Sequence, residues 1–405
     1  MTAPPHQSRS RTPDTQQGMR RRNLSRVMYT LAAEGPLSRA AVASRIGLTR
    51  AAVSTLVDEL LRSGMLEELG PERPGRVGRP GSALGVSGSG PAGLGAEIGV
   101  DHLAVCVVDL RGQVRTRAER QVGNRGRDPR SVVRDLAALL RRAAIEATAE
   151  ELRPAGLSVA VPGLVGRDRG TVVRAPNLDW HDIELPALLS ELMPDEMPKA
   201  LPVAVENEAN LGALAELWLG EDTPGDFVHV SAEIGIGAAV VVDGRLLRGT
   251  RGFAGELGHV PVRPDGPACP CGSHGCLEQY AGEEAVLRTA GLESGAHARE
   301  LLAERAAAGD KRVRDALHTA GTALGVALTG AVNLLDPRLV VLGGALAPLA
   351  PWLLPAAEEE LARRGASPAH GIAVSRFGSQ GPLLGAAHAV VRSVLDDPAG
   401  TSATI

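Results

Sequence analysis

The chain has 405 residues, enough for two or three domains at about 150 residues each. Its hydrophobic fraction of 44% and charged fraction of 22% are ordinary globular values, which excludes fibrous, collagen-like and globally disordered chains. The net charge of −4 averages two unlike parts: residues 1–86 hold 13 Arg, no Lys and seven acidic residues (+6), and the remainder carries −10, a split that points to a polyanionic partner for the first part.

Residues 1–18 are rich in Pro, Ser, Gln and Arg and are expected to be a disordered tail. They lack the apolar core of a signal peptide, and no later apolar run reaches membrane-span length, so a cytoplasmic location is expected. Leu24, Val27, Met28, Leu31 and Ala32 recur at helical spacing and predict a first helix, ended by Gly35-Pro36. Ser38 is the candidate N-cap of a short second helix running to Ile46. After the turn Gly47-Leu48, Thr49 caps a third helix with Ala52, Val53, Leu56, Val57, Leu60 and Leu61 on one face. A basic Arg/Gly/Pro segment from Arg73 to Pro80 and a short strand around Ser82–Val86 follow. Helix, helix, turn, helix and basic hairpin predict a winged helix-turn-helix over residues 19–86. Thr49, Arg50 and Ser54 would enter the major groove of a double-stranded operator; Arg76 and Arg79 belong to the wing, with Arg79 reaching the minor groove. The plainer alternative is a three-helix bundle with a solvated basic face. Only three Trp, two Tyr and three Phe are present, too few for the stacking platforms of a single-strand binder.

Residues 87–93 (Ser, Gly, Pro) read as a linker. From residue 94 to 405 strands alternate with helices. Strands are expected over 94–100, 103–110, 156–161, 203–205, 227–231, 238–242 and 339–342, and helices over 130–152, 208–219 and 312–335. This pattern predicts an α/β body with helices covering its sheets.

Cys269, Cys271 and Cys276 fall within eight residues, and His259 lies ten residues upstream of Cys269. Three thiolates and one imidazole compose a closed tetrahedral site of the structural zinc type. His274 is a rival fourth ligand. Glu206-Asn207-Glu208 follows the strand 203–205 at its carboxyl end, where open α/β sheets bind ligands. Together with Glu256, His259 and Glu278 these groups suit a neutral polyhydroxylated ligand. For Glu206 and Glu208 the alternative is a helix N-terminus that favours acids.

The combination resembles the ROK family of repressors, open reading frames and sugar kinases. The most specific marks are the cysteine motif with its preceding Glu256, Gly258 and His259. Pro162-Gly163, Ala175-Pro176-Asn177-Leu178, Asn207 and Val341-Leu342-Gly343-Gly344 match as well. The resemblance implies an actin-like pair of α/β lobes with a cleft between them, usually dimeric. It implies sugar contacts at Asn177, Asn207, Glu208, Glu256, His259 and Glu278, and zinc held by His259, Cys269, Cys271 and Cys276.

Three departures separate this chain from the family's kinases. Their first phosphate hairpin, Asp-x-Gly-Gly-Thr, is here Glu97-Ile98-Gly99-Val100-Asp101-His102. Their second, Gly-Thr-Gly-Ile-Gly, is here Glu233-Ile234-Gly235-Ile236-Gly237. Their catalytic Asp is here Glu208. Both cradles lose hydroxyl donors and gain an acid that repels a triphosphate. The expected protein is therefore a DNA-binding regulator, a repressor by default, acting as a homodimer whose operator affinity a sugar effector changes. The alternative is a hexose kinase using ATP.

Overall fold

The computed structural model describes residues 15–71, 82–167, 170–198, 200–232, 234–293, 298–366, 368–369 and 371–404. Among them no helix is long and apolar enough to cross a membrane.

The N-terminal helices are Gln16–Glu34, Arg39–Ile46 and Arg50–Arg62. Ser38 Oγ accepts the Ala41 N–H at 3.4 Å and Thr49 Oγ1 accepts the Ala52 N–H at 3.3 Å, so both expected caps form. Between them Gly47 turns the chain in the left-handed region, at φ 68°. Strands Leu37–Ser38, Leu66–Pro71 and Ser82–Val86 make an antiparallel three-stranded sheet with Ser82–Val86 in the centre. This is the winged helix-turn-helix topology. The wing tip, with Arg76 and Arg79, lies outside the described residues, as does the expected tail up to residue 14. Residues 16–18 are not a disordered tail: they are helical, and Thr15 Oγ1 caps them by accepting the Gly18 N–H at 3.1 Å.

The body has two α/β lobes. The first is a five-stranded sheet in the order Val203–Asn207, Leu152–Val161, Gly90–Ile98, His102–Asp109, Val114–Gln121. Helix Pro129–Ala149 covers one face through Val132, Val133, Leu136 and Leu140. The second sheet runs Arg245–Leu246, Ile236–Val242, Phe227–Ala232, Leu339–Gly344, Ile372–Val374, and is packed by helices Lys311–Leu335 and Leu346–Arg363. Cores of Val, Leu and Ala fill both lobes, as the shortage of rings requires. Helix Glu208–Leu219 leads from the first sheet to the second. Helix Gly381–Asp396 returns to the first lobe and packs there beside helix Glu208–Leu219.

Residues 87–93 are not a free linker. The first body strand starts at Gly90, and all nine of its residues are buried. The glycines that suggested flexibility are needed for close approach. A Cβ on Gly93 would lie 2.2 Å from the Ala387 carbonyl oxygen, and one on Gly95 would lie 2.7 Å from the Ala387 nitrogen. Only glycine lets helix Gly381–Asp396 settle this closely on the strand. The two domains also share one core: Leu24, Val27, Met28 and Leu84 cluster with Cys106, Leu383, Val391 and Leu395. Arg111 Nε donates to the Val86 carbonyl at 2.8 Å, and Arg115 Nη1 to the Gly88 carbonyl at 2.7 Å. Gly93→Val is therefore expected to lower stability by more than the ~1–3 kcal/mol typical of overpacking, because the atom it meets is backbone. A thermal melt of the full chain checks this, with Gly123→Ala, which meets nothing within 4 Å, as an unaffected control.

Candidate functional site

The third N-terminal helix presents Thr49 and Arg50 to solvent and leaves Ser54 half-buried. Much of the basic charge of this domain is spent internally. Arg20 pairs with Glu59 at 2.7 Å, Arg39 with Asp58 at 3.0 Å and Glu68 at 2.7 Å, and Arg45 with Glu34 at 2.6 Å. Arg50 has no ion pair among the described residues and sits at the helix N-terminus, so its guanidinium is available to an outside anion.

In the body, the metal-type cluster is assembled from one short turn and one loop. His259 ends the turn Leu257–His259, and Cys269 to Cys276 form a knuckle in which the Cys269 N–H donates to the Ser273 carbonyl at 2.8 Å. Gly275, at φ 64°, fits because a Cβ there would strike the Arg263 carbonyl oxygen. The ligand atoms of His259, Cys269, Cys271 and Cys276 all lie within 4.8 Å of one another. His259 Nδ1 is 3.7 Å from Cys269 Sγ, and Cys271 Sγ is 3.7 Å from Cys276 Sγ. A tetrahedral ion with bonds of ~2.0–2.3 Å to N and S needs ligand separations of roughly 3.5–3.8 Å. The four residues can therefore hold a metal ion. His274, the rival fourth ligand, is exposed and is not part of this cluster.

The same imidazole faces the cleft with its other nitrogen, 3.8 Å from Glu256 Oε2. Burial pushes the Glu256 carboxyl up; His259 opposes this and the charge of Glu278 adds to it. Glu278 Oε2 accepts the Ile236 N–H at 3.1 Å. Asn177, from the first lobe, and Glu278, from the second, both close on Gly235. A Cβ there would lie 2.3 Å from Glu278 Oε2 and 3.3 Å from Asn177 Nδ2. Asn207 is positioned differently from the others. Its Oδ1 caps helix Glu208–Leu219 by accepting the Ala209 and Asn210 N–H groups at 2.9 and 3.1 Å, and its Nδ2 donates to the Gly163 carbonyl at 2.9 Å. Glu206 is tied to Arg248 at 2.8 Å and to Asn210 at 2.8 Å. Asn207 is thus a helix cap and Glu206 an ion-pair partner, while Glu208 stands in the first turn of the helix, as the alternative for it expected. A cavity of about 850 Å³ lies elsewhere, between strand Leu152–Val161, the edge strand Val203–Asn207 and the C-terminal helices. The cleft is marked by its chemistry, not its volume.

The first hairpin of the body holds what the sequence reading missed. His102 folds back over Gly99, where a Cβ would meet the ring at 2.2 Å. Its Nδ1 is 2.9 Å from Asp101 Oδ1 and its Nε2 is 3.6 Å from Glu97 Oε1, a carboxylate only 2% exposed. The His102 hydrogen bond holds the Asp101 carboxyl below the usual range despite burial, and Arg299 of the second lobe assists. The hairpin is thus filled by its own imidazole and carboxylates. Glu233 lies outside the described residues. The adjacency of His102 to Asp101 was visible in the sequence; the fold of its ring onto Gly99 was not.

Known proteins place this geometry. The ROK family model matches residues 93–393. The xylose repressor of Caldicellulosiruptor bescii is 30% identical over 334 residues, covering 78% of this chain and 81% of that protein. The crystal structure of a ROK family transcriptional regulator, a homologue of the Escherichia coli MLC protein, superposes with a TM-score of 0.76 at 26% identity, over 93% of this chain and 97% of that one. A ROK family glucokinase from Streptomyces griseus, in complex with glucose and AMPPNP, superposes with a TM-score of 0.61 at 26% identity and covers 74% of this chain. The chain belongs to the ROK family.

Proposed function

We propose that this protein is a sugar-responsive transcriptional repressor: a winged helix-turn-helix binds the operator and the cleft of the ROK body binds the sugar. The observation that carries the reading is the pairing of an exposed, capped third helix bearing Arg50 with a phosphate hairpin occupied by Glu97, Asp101 and His102. The regulator structure covers 93% of this chain, too much to leave out its N-terminal part. In this reading Thr49, Arg50 and Ser54 meet the major groove, with Arg76 and Arg79 supplied by the wing. Two copies form a homodimer on a pseudo-palindromic site.

Asn177, Glu208, Glu256, His259 and Glu278 contact sugar hydroxyls, and Asn207 holds the helix on which Glu208 stands. His259, Cys269, Cys271 and Cys276 would hold zinc, which would supply a structural cross-link there. The His259 ring turns Nε2 towards Glu256 and the ligand. The sugar shifts operator affinity in proportion to its differential affinity for the two states of the protein.

A gel shift on the protein's own upstream DNA tests this, with D-xylose, D-glucose and N-acetylglucosamine as effectors. Expected are a retarded band with a steep salt dependence and its release by one of the sugars. Absence of a retarded band at low salt sinks the reading. The glucokinase likeness keeps a second reading, a sugar kinase with an added domain. A coupled ATP-consumption assay over the same sugars is expected to show no turnover; even ~1 s⁻¹, at the low end of ordinary enzymes, favours the kinase.

A further inference from the structure

Two of the chain's few aromatic side chains meet at one arginine at the junction between the domains. Trp218 stands near the end of helix Glu208–Leu219, the helix that begins at Asn207 and Glu208 in the cleft. Tyr29 stands on the first helix of the N-terminal domain. The Arg392 guanidinium lies 5.0 Å from the centroid of the Trp218 ring and 5.4 Å from that of Tyr29. All three side chains are half-buried. The Tyr29 hydroxyl donates to Asp396 Oδ1 at 2.6 Å, one turn of helix beyond Arg392. Burial and that bond push Tyr29 up to about 12, so the hydroxyl keeps its proton at any working pH.

The support behind this contact is rigid. Helices Glu208–Leu219 and Gly381–Asp396 run together from the cleft to the junction. Gly385 touches the Leu211 backbone, where a Cβ would come within 2.0 Å of the carbonyl oxygen. Further along, Leu214, Leu217 and Trp218 pack with Ala386 and Ala389. A 12-residue helix spans ~18 Å, so a small tilt at Asn207 becomes a displacement of Trp218. On the far side the Tyr29 helix shares its core with the third helix: Leu24, Val27 and Met28 cluster with Val53, Leu56 and Val57.

We propose that Arg392, clamped between Trp218 and Tyr29, is the positioning residue that couples the cleft to the DNA-binding domain. This rests on the sugar-responsive repressor reading. A guanidinium plane is suited to the task, because it stacks on two rings at once and its contact depends on their relative orientation. A movement of helix Glu208–Leu219 changes the Trp218 face of the sandwich and is passed to Tyr29. Other contacts between the domains, such as Arg111 with Val86 and Arg153 with Ser63, come from outside that helix.

The experiment measures operator affinity with and without the responding sugar of the panel above, and sugar affinity without DNA, for the wild type, Arg392→Lys, Trp218→Leu and the double variant. Arg392→Lys keeps the charge and loses the planar stack. Expected are basal operator affinity within about threefold of wild type, unchanged sugar affinity and an unchanged melting temperature in Arg392→Lys. The ratio of operator affinities without and with sugar is expected to collapse towards one. Trp218→Leu should show the same collapse, and the double variant should add nothing, because the two act through one contact. Retention of the full sugar ratio in Arg392→Lys overturns the proposal. So does a parallel fall of basal affinity, sugar affinity and melting temperature, which would mark a merely structural contact. If the wild type itself shows no sugar ratio, the repressor reading fails first and the coupling role with it. That result differs from one in which only the variants keep or lose the response.

Discussion

Cys276→Ser is expected to yield a chain that retains no zinc and no longer responds to sugar, yet still binds its operator. The Cys276 side chain is fully enclosed, and its Sγ lies 3.7 Å from that of Cys271. A serine hydroxyl is a harder, weaker ligand, and it leaves three donors where a closed site needs four. Structural zinc contributes about 10–16 kcal/mol in small zinc-finger peptides, so losing one ligand is expected to weaken retention by orders of magnitude. The consequence is local because of where the ligands sit. His259 is three residues from Glu256, and Cys276 is two residues from Glu278. Once the knuckle loosens, both carboxylates and the imidazole lose their shared frame. The core that the N-terminal helices share with the body contains none of the four ligands, so these helices are expected to keep their DNA affinity. Elemental analysis gives the zinc content, calorimetry with the responding sugar gives binding, and the gel shift gives both operator affinity and response. A full sugar response in a zinc-free chain would remove the metal from the account.

The second large effect concerns acid. His229 and His388 are buried, and burial pulls each down to about 4. For His388 the charge of Arg392 adds to this, and Asp109 opposes it. Each is neutral in the folded chain and titrates near 6.5 in the unfolded one. Between those values the unfolded state binds more protons, so stability is full above pH 6.5 and falls as pH drops towards 4. At pH 5 the loss is about 2 kcal/mol per group, from a slope of ~1.4 kcal/mol per pH unit. Glu360, held at about 2 by Arg363 and Arg364, loses its contribution only below its ordinary value of 4.5, in a more acid window. Burial raises Glu216, which acts in the opposite sense near its own range. His229→Gln isolates one histidine. Its amide carries no titrating proton. Urea midpoints at pH 7 and pH 5 should differ less in the variant than in the wild type. An equal pH dependence in both would assign the acid loss to other groups.

How far the sequence could be read depended on whether a signal was local. The caps at Ser38 and Thr49 and the helix Glu208–Leu219 were legible, because capping side chains and apolar spacing act within a few residues. The His/Cys cluster was legible because ligand type and spacing carry the chemistry directly. The segment 87–93 was misread, since Gly93 resembles a flexible residue until Ala387, nearly three hundred positions away, is seen against it. Helix Leu346–Arg363 went unrecognised because Pro351 and Pro355 lie inside it, and helix-breaking residues outweigh pattern in a local reading. Asn207 looked like a ligand from its place after a strand; only the structure reveals that both ends of its amide are committed. Its partner Gly163 is distant in sequence, so no local signal could have revealed this.

The way helix Gly381–Asp396 closes the cores of both the first lobe and the N-terminal domain has a consequence for synthesis. Leu24 and Val27 wait for Val391 and Leu395, which are made more than 360 residues later. At about 5–20 residues per second, some tens of seconds separate the first helix from the residues that bury its flank. A nascent or prematurely ended chain carries the whole reading head but not the surface that steadies it. Steady support of the N-terminal helices therefore begins only once helix Gly381–Asp396 has been made.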